Sequence, residues 1–144
     1  MLKTQKVFWW RTGFAITEGK LGKEPDGEMG SVETIMKNSV ELAIDLKAKD
    51  YLGITAFHHS CVFGKVKIAE IFIKNSQDLN IHLHSRCKTG TTSFNFACLH
   101  GQTKIAKILV KNSEKIKMDL NAKNKFEESP FIMPVQPIFS ILLK

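Results

Sequence analysis

The sequence predicts an all-α solenoid, a stack of helix-turn-helix repeats joined by β-turn fingers. Three observations carry this prediction. The stretch from Asp50 to Ser76, DYLGITAFHHSCVFGKVKIAEIFIKNS, recurs thirty-seven residues later, and a fixed period of this size is the mark of stacked repeats. Gly53, Thr55, Cys61 and Gly64 return as Gly90, Thr92, Cys98 and Gly101. Within each copy the apolar residues keep helical spacing, Ile68, Ile71 and Phe72 first, then Ile105, Ile108 and Leu109. Partial copies also flank the two full ones. Lys37-Asn38-Ser39 stands one period before Lys74-Asn75-Ser76 and two before Lys111-Asn112-Ser113, and Ser129 stands one period after Thr92.

Residues 1–30 form a degenerate leader or cap. Phe8, Trp9 and Trp10 fit no amphipathic period, and Gly13, Gly19, Gly22, Pro25, Gly27 and Gly30 break any long helix. Covering the end of the stack is the expected role, because terminal repeats are atypical caps; a docking peptide is the alternative. The repeats occupy 31–132: a partial copy over 31–49, full copies over 50–86 and 87–123, and a partial copy over 124–132. Ser31 is placed to cap an outer helix carrying Ile35, Met36, Leu42 and Ala43. Asp45 to Ile54 then makes a finger-like turn, with Gly53 where the chain needs a positive φ. Thr55 opens an inner helix over about 56–63, and its hydroxyl can satisfy a free first-turn amide. Ala56, Ser60 and Cys61 are small enough for close helix approach, and Gly64 ends the helix as a left-handed cap. An outer helix follows from Val66 to Asn75 or beyond. The second copy places a finger at 82–92, an inner helix at 93–100 and an outer helix from 103 to 113 or beyond. Asn38, Asn75 and Asn112 share one register, and each is expected to bond nearby main chain. Pro134 and Pro137 disrupt a further inner helix, which leaves 133–144 as an irregular apolar tail.

The unit resembles an ankyrin repeat, whose pattern runs D-x-x-G-x-T-P-L-H-x-A-A-x-x-G-H, a second helix of the I-V-x-L-L-L type, then D-V-N-A. The first full copy has Asp50, Gly53, Thr55, His58, Cys61 and Gly64; the second has Gly90, Thr92, Asn95, Ala97, Cys98 and Gly101. The D-V-N-A junction shows as Asp45-Leu46-Lys47-Ala48 and as Asp119-Leu120-Asn121-Ala122. There are departures. The motif's proline is missing from both full copies and present only as Pro130; Asn95 and Ile132 replace the histidine; Glu127 replaces the finger glycine. Each copy is also four residues longer than the family's usual thirty-three, and the excess falls after the outer helix. One extra helical turn or a longer outer loop is expected there.

Charge and cysteine content narrow the function. The chain has 144 residues, enough for one domain, and no apolar run near the ~20 residues of a membrane helix. The apolar run Val7 to Trp10 is too short for a secretory signal, so an intracellular protein, cytoplasmic or nuclear, is expected. Three cysteines in such a chain are free thiols. The net charge is +7, but nineteen of the twenty-one basic residues are lysine and only Arg11 and Arg86 are arginine. Bidentate reading of guanine favours arginine, so the charge suggests solubility or an acidic partner more than specific DNA recognition. The stripe Lys104, Lys107, Lys111, Lys115 is read as the solvated face of an amphipathic helix.

Neither catalysis nor a cofactor is expected. His58, His59 and Cys61, with His82, His84, Cys87, Cys98 and His100, bring zinc-ligand types together, but no C-x-x-C is present. The repeat itself explains most of them, since His58 holds the motif's histidine position and Cys61 and Cys98 replace small core residues. Only His82, His84 and Cys87 are unexplained, three ligands at best. Cys61 lies one helical turn from His58, yet a packed inner helix makes it a core residue rather than a nucleophile.

The resemblance implies a protein-binding scaffold that contacts its partner through fingertips and inner helices. Carried over by position, the finger residues are Tyr51, Leu52 and Ile54, then Lys88, Thr89 and Thr91, then Lys125, Phe126 and Glu128; the inner-helix residues are Val62, Phe63, Leu99 and His100. The repeat does not need apolar side chains at Tyr51, Leu52, Ile54, Val62, Phe63, Leu99 and Phe126, which suggests a partly hydrophobic contact surface. Alternatively the tail from Ile132 or the Trp9-Trp10 segment covers them. Two other readings stay open: a lysine-driven binder of nucleic acid or another anionic surface, and a fragment of a longer array. Self-association through exposed repeat ends is a further possibility.

Overall fold

The computed structural model describes residues 45–130. The leader, the partial copy before Asp45 and the apolar tail lie outside the described residues. Within them the chain forms four helices and no strand: α1 Ala56–Val62, α2 Val66–Asn75, α3 Ser93–Leu99 and α4 Thr103–Lys111. Short inner helices α1 and α3 alternate with longer outer helices α2 and α4. Inner packs on inner and outer on outer, so each repeat covers the apolar flank of the next.

Local chemistry starts and stops each helix as the sequence requires. Thr55 and Thr92 sit in extended backbone, and their hydroxyls accept the amides of His58 and Asn95. Gly64 and Gly101 both take φ 68° just after the inner helices, which end one residue earlier than expected, at Val62 and Leu99. The four extra residues per repeat supply an extra helical turn, one of the two outcomes expected, with the Leu79 amide bonding the Asn75 carbonyl at 3.0 Å and the Ile116 amide that of Asn112 at 3.1 Å. After Asn75 the chain makes one more hydrogen-bonded turn and closes in a Schellman motif. The Ile81 amide reaches back to the Ser76 carbonyl at 2.7 Å and the Asn80 amide to that of Gln77 at 3.1 Å. Met118 to Ser113 and Lys117 to Glu114 repeat the pattern at 2.9 and 3.2 Å. The residues that turn the chain, Asn80 and Lys117, have positive φ. Asn75 and Asn112 each donate their side-chain amide to the carbonyl four residues earlier, at 2.8 Å, so the recurrent asparagine bonds its own helix end.

The core runs through the stack without interruption. Cys61, Ala69, Ala97, Ile105, Ala106 and Leu109 have no exposed surface, and Phe57 packs on Phe72 with ring centres 5.7 Å apart. Small residues on the inner helices let them close up, and branched residues on the outer helices fill the space behind. Lys104, Lys107, Lys111 and Lys115 are all exposed.

Candidate functional site: the finger row and the inner-helix face

Three fingers stand side by side, each a hairpin closed by the same pair of bonds. Gly53 donates to the Asp50 carbonyl, Gly90 to that of Cys87 and Glu127 to that of Asn124; Asp50, Cys87 and Asn124 donate to Ile54, Thr91 and Glu128 in turn. The second hairpin thus occupies only Cys87 to Thr91 of the expected 82–92. The Asp50 carboxylate accepts the amides of Leu52 and Ile54, both at 2.9 Å, and the Asn124 side chain does the same for Phe126 and Glu128. Cys87 lacks an oxygen for this task. Its sulfur lies 3.0 Å from the Thr89 hydroxyl, which lies 2.8 Å from that of Thr91. Main-chain bonds join the fingers, Lys88 to Leu52 at 2.9 Å and Lys125 to Thr89 at 2.8 Å.

A second set of bonds ties each inner helix to the next finger. The His58 Nε2 donates to the Ser85 carbonyl at 3.1 Å, and Nδ1 accepts the Thr55 amide at 3.2 Å. Because a carbonyl can only accept and an amide can only donate, the neutral Nε2–H tautomer is the one that satisfies both. Burial holds His58 down at about pKa 4, against the pull of the Ser85 bond. In the next repeat Asn95 takes over both roles, donating to the Ala122 carbonyl at 3.0 Å and accepting the Thr92 hydroxyl.

Among the described residues, four of the five exposed large apolar side chains lie on the finger row or at the end of an inner helix: Tyr51 (75%), Phe126 (69%), Phe63 (46%) and Leu52 (45%). Val62, Leu99 and Ile54 are half-buried; Lys88, Thr89, His100, Lys125 and Glu128 are exposed. Thr91 differs from the expectation. It is buried, its hydroxyl spent inside the finger, so it offers a partner no contact. Glu128 is exposed yet accepts the Asn124 side-chain amide at 2.8 Å.

Two further groups belong to this surface and went unremarked in the sequence. His59 lies flat on Phe63, ring centres 6.1 Å apart, and Phe96 stacks near His100 at 6.5 Å, so ring pairs line the inner-helix face. The His59 Nε2 is 3.7 Å from the Asp50 carboxylate, but burial outweighs that attraction and lowers its pKa. The second group is a cationic column. Lys49, Arg86 and Lys123 are thirty-seven residues apart; the Lys49 ammonium reaches the Arg86 carbonyl at 3.5 Å and the Arg86 guanidinium the Lys123 carbonyl at 3.0 Å. The same period that exposed the asparagines would have revealed it.

Burial pushes the Cys61 thiol up to about 12 and the Cys98 thiol up to about 11, which leaves no thiolate near neutrality. Burial also works to raise Cys87, but hydrogen bonds from Thr89 and Thr91 bring it below its ordinary value. His82 and His84 meet edge to face at 5.5 Å, and among the described residues no three His, Cys, Asp or Glu side chains converge as metal ligands. No described helix is long and apolar enough to cross a membrane.

Paired helices, repeated finger bonds and a continuous core define a helical repeat scaffold. An ankyrin-repeat family model matches residues 28–124 in three copies, and the chain belongs to that family. No curated protein matches it. Ankyrin repeats are generally protein–protein interaction modules, and the family is typically a non-enzymatic scaffold.

Proposed function

We propose that this stack holds a partner protein across its finger row and inner-helix face, with Tyr51 and Phe63 as apolar anchors and with neither catalysis nor a cofactor. The observation that carries this reading is the concentration of exposed apolar side chains on that one surface, while the outer helices present lysines. Packing does not require Tyr51, Leu52, Phe63 or Phe126 to be apolar, and leaving them in water is unfavourable. Stacked His59 stiffens the Phe63 ring and reduces the ordering cost of binding.

The test is a Tyr51→Ala, Phe63→Ala double variant assayed against proteins captured from lysate by the unaltered chain. Central aromatic anchors contribute ~2 kcal/mol or more each, so binding should fall by about two to three orders of magnitude. The melting temperature should barely move for Tyr51→Ala, at 75% exposure, and fall modestly for the half-buried Phe63 (46%), so folding of the double variant is checked by circular dichroism. Unchanged capture by the double variant would refute the reading.

A further inference from the structure

The segments leading up to the fingertips expose every second residue. Residues 47, 49 and 51 are exposed while 46, 48 and 50 are covered or half-covered, and the pattern repeats at 84, 86, 88 and at 121, 123, 125. Each segment runs from one β-turn into the next, Ala48 bonding Asp45 and Gly53 bonding Asp50 in the first copy, and the repeated turns expose the same three positions in every copy. The finger-to-finger bonds and the Lys49 and Arg86 contacts hold the three segments in one register. The nine positions form a grid. Six carry a cation, Lys47, Lys49, Arg86, Lys88, Lys123 and Lys125, and none carries a carboxylate. Each column bond to a carbonyl uses one donor and leaves two on the lysine and four on the arginine.

We infer that this grid binds an acidic, extended segment of a partner protein, one carboxylate to each finger. The inference rests on the protein-binding reading above and names the chemistry of the partner. Spacing supports it. Packed helices lie about 8–10 Å apart, which sets the step from one finger to the next. In a polyproline II segment three residues rise about 9.3 Å and return to the same face. Carboxylates at every third residue therefore meet successive fingers without distortion. A single nucleic acid strand fits less well, because strand binding alternates cations with stacking aromatics, and the grid's two rings, Tyr51 and His84, stand on different fingers and at different registers. Glu127 lies 3.3 Å from the Lys123 ammonium and partly offsets the third finger.

The experiment uses the full chain and labelled peptides followed by fluorescence polarisation at low and moderate salt. One peptide repeats Glu-Pro-Pro, a second repeats Gln-Pro-Pro, and a third has the same glutamates grouped at one end. An oligothymidine of equal charge is the fourth probe. The first peptide should bind, tighter than the grouped one, and the glutamine peptide should not. A Lys49→Ala, Arg86→Ala, Lys123→Ala variant, checked for folding by circular dichroism, should bind it about tenfold more weakly. Glu127→Gln, which removes the offsetting charge, should bind it more tightly; this arm needs no loss of structure to be read. Equal binding of the grouped peptide, tighter binding of oligothymidine, or no effect of Glu127→Gln would overturn the inference. The Tyr51→Ala, Phe63→Ala variant separates the two proposals. If it loses its lysate partner while the triple variant keeps it, the anchors stand and the acidic segment falls.

Discussion

His58 and Asn95 perform one task with different chemistry. Each accepts from the threonine that caps its own helix and donates to a carbonyl twenty-seven residues on. Only the imidazole titrates. Below its ordinary pKa of 6.5 an unfolded His58 takes a proton, whereas the folded one resists until about 4, because burial disfavours the charge. The sign follows. The stabilising share of this group is fully present above pH 6.5 and is lost as pH falls through about 4, amounting to roughly 3 kcal/mol. His58→Asn should keep both bonds and cost little at pH 7, yet flatten the fall in melting temperature between those pH values. A variant whose acid sensitivity equals that of the unaltered chain would contradict this account of His58.

At the scale of the finger, backbone conformation decides what is tolerated. Gly53 and Gly90 take φ 76°, and Glu127 occupies the same register at φ 61°. A left-handed conformation costs a side-chain-bearing residue roughly 1–2 kcal/mol, and glycine's extra unfolded freedom returns part of that. Glu127→Gly should therefore raise stability by about 0.5–1 kcal/mol in denaturant unfolding. Gly53→Ala should act the other way and more strongly. A Cβ there would stand 3.0 Å from the Lys88 amide nitrogen, the donor that links the first finger to the second. The expected loss is about 2 kcal/mol, strain and linkage together. The four-residue insertions belong to this scale too. They continue the outer helix by one turn, the Leu79 amide reaching the Asn75 carbonyl, before the left-handed residue Asn80 ends it.

At the scale of the whole molecule, stability belongs to the stack rather than to any repeat. Helices of seven to ten residues are marginal alone. They persist because inner helices and fingers bond to their neighbours and because Leu109 and Ile105 are fully enclosed. Leu109→Ala should cost about 2–5 kcal/mol, a large part of the whole for a domain of this size. It should also lower one common unfolding transition, followed equally by helix content and by the environment of Tyr51. Separate transitions would show repeats melting independently and would favour the view that the chain needs further repeats beside it.

The period and the helical spacing of isoleucine and leucine were enough to specify an all-α stack, and with them the caps at Thr55 and Thr92 and the turns at Gly53 and Gly64. These depend on contacts within a few residues, which a sequence displays directly. Which side chains remain outside was less legible. Thr91 looked like a surface residue and is buried, with its hydroxyl 2.8 Å from that of Thr89. The ring pairs His59–Phe63 and Phe96–His100 are four residues apart on one inner helix and were legible in the sequence, whereas the column from Lys49 to Lys123 exists only when repeats stand side by side. Residues thirty-seven positions apart become neighbours through stacking, so their shared surface is a property of the tertiary structure, even though each copy's helices are written locally.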